Sequence, residues 1–330
     1  MSAKTRIQTP TESYVVKYQE PITLADKQLA VFWLHGEVKV EKDIQDILVN
    51  MTPAEKHGVI TTLRLFTKYE LLAGDEYWSG RFKTMFPRPE FTRMGSVFSM
   101  FELAVHAPFY NKINELLHLN TDDFYLGYVN DPVLNDRMEF IDNILSHPSD
   151  LVSLAVFSMV EGAILYSSFA FLKHFQSQGK NKLTNIVRGI NFSVRDENIH
   201  ALGGAWCFRE LLKEQQLSDE EFEEVTSLIY AAARQLYEHE CRINEKIFEK
   251  GTISGITCLQ MNHFSQSRIN EQLVQLGLEK IYEVKYNPIA DWFYDGINGY
   301  SFNDFFSGIG NQYHREWDAS EFVWIEEGEE

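Results

Sequence analysis

Cysteine is scarce in this chain. Cys207, Cys241 and Cys258 are the only three among 330 residues. No two stand at a metal-clip spacing and the number is odd. This argues against a disulfide framework and makes a reducing, cytoplasmic setting the expectation. Positive charge is also short, since 30 Lys and Arg against 48 Asp and Glu leave a net charge of −18. Such a balance argues against nucleic acid or an anionic membrane as a partner. The longest apolar stretch, around 151–172, is interrupted by Ser153, Ser158, Glu161, Ser167 and Ser168. It reads as a buried helix and not as a membrane span. The opening MSAKTRIQTPTESY has no apolar h-region, so no signal peptide is expected. No internal repeat and no low-complexity segment is evident.

What remains is apolar and helical. Apolar residues make up 44% of the chain and aromatics 14%, enough for a large core. Periodicity places helices near 24–33, 53–73, 88–118, 132–146, 149–176, 181–214, 218–248 and 254–276. Thr52 before Pro53 and Glu55 is a start signal, and Ser149 and Ser218 precede acidic residues in the same way. Strand signals are thin. The expected organisation is an arm over 1–23, an all-α domain over 24–300 and a tail over 301–330.

Carboxylates then stand where a core should be. Glu161 lies in LAVFSMVEGAILYSSFAF with no charged residue within nine positions on either side. Glu102 and His106 sit in MGSVFSMFELAVHAPFY, and Glu197 and His200 in INFSVRDENIHALGGAWCF. Glu70 lies among Leu and Phe in LRLFTKYELLAGDEYW, with Asp75 and Glu76 competing for its role from a Gly-Asp-Glu turn. An unpartnered buried carboxylate costs several kcal/mol or more. Several of them would exceed the roughly 5–15 kcal/mol that stabilises an ordinary domain. A cation from outside is the economical answer, and two divalent ions match these four carboxylates. Oxygen and imidazole ligands without thiolate suit iron or manganese. Residues three or four apart share a helix face, so each Glu/His pair can serve one site. The chain order is single Glu, Glu with His, single Glu, Glu with His. That is the di-metal pattern of ferritin-like bundles.

These residues carry a family resemblance. From about Trp33 to Tyr313 the chain resembles the small subunits of class I ribonucleotide reductases. The motifs are VFWLHGEVKVEKDI (31–44), HAPFY (106–110), VEGAILYSSFAF (160–171), RDENIH (195–200) and NDFFSGIGNQY (303–313). The resemblance implies that Glu70, Glu102, His106, Glu161, Glu197 and His200 ligate two metal ions per chain. Iron is expected first, with manganese or a mixed manganese–iron pair as alternatives. It implies that Tyr110 becomes a neutral radical, and that Trp33 and Asp196 connect the site through His106 toward the surface. Tyr313 would hand the oxidising equivalent to a large catalytic subunit that docks on the tail. A homodimer is expected on the same ground. Leu165 and Phe169 are candidates for the apolar wall beside the radical.

Two departures stand out. The family usually has Asp where Glu70 stands, and Glu three residues before the first His, where this chain has Leu103 and places Glu102 four before. Pro108 lies inside the same helix, lacks an N–H and disturbs the turn before it. One extra residue taken up as a π-bulge would absorb both oddities. Two other readings stay open. One is a ferritin-like di-metal oxidase or hydroxylase with its own small substrate, and the other is a non-catalytic metal-storing bundle.

Overall fold

The computed structural model describes residues 5–284 and 286–294. Among the described residues, ten α-helices of nine residues or more carry the architecture. In chain order they are α1 (Gln19–Ala30), α2 (Pro53–Leu71), α3 (Pro89–Phe101), α4 (Ala107–Leu116), α5 (Pro132–Leu145), α6 (Asp150–Met159), α7 (Leu165–Lys173), α8 (Thr184–Gln215), α9 (Asp219–Phe248) and α10 (Cys258–Gln275). Among the described residues the only β pairing is one isolated bridge, Ile253 with Ile256. The chain is an all-helical bundle.

Capping chemistry starts several of these helices. Thr52 Oγ1 accepts from the Glu55 backbone N–H while Glu55 Oε2 accepts from the Thr52 N–H, which opens α2 with proline at its first position. Ser149 caps α6, and Ser218 opens α9 with the same reciprocal pair. Three starts differ from the periodicity, and one is α10, which begins at Cys258 and not at 254 because Gly255 takes a left-handed angle and Thr257 caps the helix. α1 begins at Gln19 because Pro21 falls in the first turn, where its missing N–H costs nothing. α8 begins at Thr184 and not at 181, because Asn181 and Leu183 take left-handed backbone angles. Its first turn is capped from a distance, with Asp43 Oδ2 accepting from the Ile186 N–H at 2.6 Å.

The region of the Gly-Asp-Glu sequence is a correction. It does not end a helix; Leu72–Arg81 continues α2 as a π-helical run. Gly74 serves close approach and not a turn. A Cβ there would lie 2.6 Å from Leu103 Cγ and 2.9 Å from Glu102 Cβ. Asp75 and Glu76 are exposed. Two further π-helical turns join neighbouring helices into single rods. Glu102–His106 links α3 to α4, and Val160–Ile164 links α6 to α7. Pro108 follows the first of these turns directly, in the opening turn of α4.

The rods pack around one core. α8 lies along α6, α2 along α4, and α10 covers the Val160–Ile164 turn. The segment Asp150–Gly179 is apolar and long enough to cross a membrane, but 94% of its most apolar window is buried inside the protein. It is a core helix. The first described residues dock onto the bundle, since the buried Ile7 donates its N–H to Glu214 Oε2 at 2.8 Å.

Candidate metal centre

The π-helical segments Leu72–Arg81, Glu102–His106 and Val160–Ile164 and the middle of α8 converge on one buried layer. Glu70 is the last residue but one of α2, just before the Leu72–Arg81 run. Glu102 and His106 form the two ends of one π turn, and Glu161 is the second residue of another. Glu197 and His200 face the same layer from α8. All six side chains are essentially without solvent contact.

They form two adjoining groups, Glu70–Glu102–His106–Glu197 and Glu102–Glu161–Glu197–His200, each with ligand atoms within 4.8 Å of one another. Glu102 and Glu197 belong to both. Glu102 turns Oε2 to His106 Nδ1 at 3.0 Å and Oε1 to His200 Nδ1 at 2.6 Å. Glu197 turns Oε1 to His106 Nδ1 at 3.2 Å and Oε2 to His200 Nδ1 at 3.2 Å. Each shared carboxylate therefore straddles two positions. Glu70 Oε2 lies 3.5 Å from His106 Nδ1. Glu161 sends Oε1 to the Trp78 indole N–H, which donates at 2.9 Å.

The donor set fits a pair of cations. Glu70 Oε1 and Glu161 Oε2 are buried without a hydrogen-bond partner, and Glu102 Oε1 and Glu197 Oε1 have only imidazole nitrogens beside them. Even two imidazolium rings would leave four ionised carboxylates with a surplus of negative charge. Among the described residues, no Lys or Arg pairs with any of the four. Titration carries the same signature. Burial, with the Glu102 charge behind it, pushes the Glu70 carboxyl well above the usual range. Burial and the Glu197 charge do the same to Glu161. Burial also opposes ionisation of Glu102, but the His200 and His106 imidazoles outweigh it and hold this carboxyl well below. Burial opposes a charge on His200, yet Glu102 and Glu197 raise it to about 9. Protons thus stand in for missing positive charge, and metal binding would release them.

On its far side, His106 Nε2 meets Asp196 Oδ2 at 3.1 Å, and the Trp33 indole N–H donates to the same oxygen at 2.8 Å. Asp196 and Trp33 are buried, while Phe32 and Leu34 beside Trp33 are 41% and 50% exposed. The three side chains reach from the centre almost to the surface. Tyr110 lies one helical turn beyond His106, fully buried, and donates its hydroxyl to Ser193 Oγ at 3.3 Å. Burial, with the Glu70 charge, raises its phenol well above the ordinary value.

Phe66, Trp78 and Ser193 escaped the sequence reading, whereas Leu165 and Phe169 are its wall candidates. Phe66 is the ring stacked on Tyr110, at 4.5 Å and 25°, and Phe169 packs behind Phe66 at 5.5 Å. Leu165 is buried on the same helix as Phe169. Trp78 carried no local signal. Ser193 could have been found, because it stands four residues before Glu197 on one face of α8. Tyr313 and the tail over 301–330 lie outside the described residues.

Known proteins place this arrangement. A family model described as ribonucleotide reductase, small chain, matches residues 11–288. A probable ribonucleoside-diphosphate reductase small subunit of invertebrate iridescent virus 3 is 24% identical over 88% of this chain and 81% of its own length. The ribonucleoside-diphosphate reductase subunit beta of Treponema pallidum is 24% identical over 76% of this chain and 72% of its own length. The crystal structure of dimanganese(II) NrdF from Streptococcus sanguinis shares the fold with a TM-score of 0.75, at 21% identity, over 87% of this chain and 99% of that one. A putative class I ribonucleotide reductase from Bacillus halodurans also superposes with a TM-score of 0.75, at 24% identity over 84% of this chain and 99% of that one. Because the family match runs through both ends of the bundle and every residue of the buried centre, the chain belongs to the ribonucleotide reductase small-chain family.

Proposed function

We propose that this chain is the radical-generating subunit of a ribonucleoside-diphosphate reductase. Glu70, Glu102, His106, Glu161, Glu197 and His200 hold two metal ions, and Tyr110 carries the radical. One observation supports this reading above the others. Two carboxylates straddle two imidazoles, and one of those imidazoles continues through Asp196 to Trp33. A storage bundle has no use for that continuation. A hydroxylase acting on its own substrate has no use for a path leading away from the site.

When bound, the metal pair supplies the oxidising power that a phenol requires. The chain supplies placement and dryness. Ser193 Oγ orients the Tyr110 hydroxyl, and Phe66 covers the ring, so water cannot reach a phenoxyl oxygen. Tyr110 gives up one electron together with its hydroxyl proton. His106 Nε2, Asp196 Oδ2 and Trp33 Nε1 then form the hydrogen-bonded route by which the oxidising equivalent leaves. Tyr313 passes it to the large subunit, which reduces the ribonucleotide. Oxygen and nitrogen donors alone suit iron first. The dimanganese relative favours manganese as the second reading.

Anaerobic apoprotein loaded with Fe(II) or Mn(II) and then given oxidant tests the proposal. Two ions per chain and a tyrosyl signal in electron paramagnetic resonance are expected. Tyr110→Phe should take up both ions and show no such signal. A metal content near zero defeats the reading, and a wild-type radical signal in the variant moves the radical to another residue.

The tail reading extends this proposal. Phe322, Val323, Trp324 and Ile325 form an apolar island between acids, suited to a partner groove. Deleting 318–330 should leave metal uptake intact and abolish association with the large subunit. Full-rate turnover by the truncated chain would refute it. A cytoplasmic homodimer completes the proposal.

A further inference from the structure

One buried cation near the centre has no part in it so far. Arg268, on α10, is almost wholly buried, yet its carboxylate partner Glu271 is 44% exposed. A buried guanidinium is costly unless its donors are satisfied. Two of them are spent on one backbone oxygen. Arg268 Nε and Nη2 donate to the Gly162 carbonyl at 3.0 and 2.6 Å. Gln272 Nε2, one helical turn further on, donates to the same oxygen at 3.3 Å. The guanidinium lies over the Tyr166 ring at 3.8 Å, and Nη1 donates to the Tyr294 hydroxyl at 2.8 Å.

Gly162 is the residue after Glu161, inside the π turn Val160–Ile164. A π turn departs from the regular helical ladder, and here three donors from another helix collect on one of its carbonyls. Glycine leaves room for the Gln272 amide, since a Cβ at Gly162 would lie 2.3 Å from Gln272 Cδ and displace it. Glu161 is thus gripped at two points, by the Trp78 N–H on its carboxylate and by Arg268 and Gln272 on the adjoining peptide. Glu161 belongs only to the group that contains His200.

We propose that Arg268 and Gln272 are positioning residues that hold Glu161 through the Gly162 carbonyl, and so set the metal affinity of the His200 position independently of the His106 position. The proposal rests on the metal reading above.

Full-length apoprotein is titrated anaerobically with Mn(II). Free ion is counted by electron paramagnetic resonance, and folding is followed by circular dichroism and thermal melting. The wild type should bind two ions per chain. Arg268→Met and Gln272→Met should stay folded, keep one ion at wild-type affinity and bind the other about 10–100-fold more weakly. Arg268→Lys, which retains a donor, should fall between. Adding His200→Ala to Arg268→Met should cost little more, since both act on one position. Adding His106→Ala should remove the remaining ion. Two ions at unchanged affinity in the folded variants overturn the proposal, as does an equal loss at both positions. If Arg268→Met fails to fold, Gln272→Met, which keeps the volume and removes the donor, decides alone. A wild-type chain that binds no Mn(II) would instead defeat the underlying metal reading.

Discussion

The two histidines of the centre are the same group, buried to the same degree, and they differ in what lies behind them. His106 places Nδ1 among the carboxylates and ties Nε2 to Asp196. His200 also places Nδ1 among carboxylates, but its Nε2 is buried without a partner. Its ring is flanked by Phe98 at 4.4 Å and Trp78 at 5.9 Å. An acceptor behind a ligating histidine fixes its tautomer and raises its basicity. One side of the centre is therefore connected outward through polar groups, and the other is closed by aromatic rings. The shared carboxylates Glu102 and Glu197 are what the two sides have in common.

The largest effect should come from cutting the connected side. Trp33→Phe removes the indole N–H that donates to Asp196 and preserves most of the packing. Turnover with the large subunit should fall to background, while metal content, melting temperature and the Tyr110 signal stay near wild type. A variant that loses stability but keeps its specific activity would reduce Trp33 to a packing residue and erase the contrast.

Next in size is a test against a buried charge of opposite sign. Lys173 ends the helix that follows Glu161, and burial pulls its ammonium down to about 7 from 10.5. Its Nζ donates to the Phe293 carbonyl at 3.1 Å and lies 4.3 Å from that residue's ring centroid. The folded pKa lies below the unfolded one, so the unfolded chain holds the proton between the two values. Stability should then rise with pH between about 7 and 10.5, with the penalty of the buried charge fully present below 7. Lys173→Met should stabilise the protein by a few kcal/mol at pH 6, and by progressively less toward pH 10. Thermal melts across that range read the effect, and a pH-independent difference would rule out titration as its cause.

The smallest expected effect separates what is shared from what is private. Gly74→Ala drives a methyl group toward Leu103 and Glu102. Overpacking of this kind costs about 1–3 kcal/mol. Because Glu102 serves both positions, both ions should weaken together, unlike the selective loss expected from Arg268→Met. Mn(II) titration of the two variants side by side distinguishes the patterns.

What the sequence disclosed follows from the reach of helical spacing. Glu102 with His106 and Glu197 with His200 are legible because three- and four-residue spacings place both groups on one face. Glu161 is legible because it has no charge near it. Those five residues, together with Glu70, are the ones that the fold brings into two adjoining groups. The oddities at Glu102 and Pro108 also pointed to a distorted turn, and a π turn lies there. Partners on other helices were invisible. Trp78 and Glu161 are 83 residues apart, and Arg268 and Gly162 are 106 apart. No local pattern encodes such pairings. Gly74 misled for a related reason, since a glycine needed for close approach looks the same in sequence as one that ends a helix.

The π turns carry a consequence for how the bundle breathes. Buried helices ordinarily exchange their amide hydrogens slowest at mid-length and fastest at their frayed ends. The rods from Pro89 to Leu116 and from Asp150 to Lys173 each change hydrogen-bond register midway, at residues that face the centre. Each rod has a seam where others have their strongest rungs. Deuterium uptake in the apoprotein should therefore be raised at 102–106 and 160–164, inside the core. Bound ions would act as rivets across those seams, and loading should slow exchange there before it slows it anywhere else.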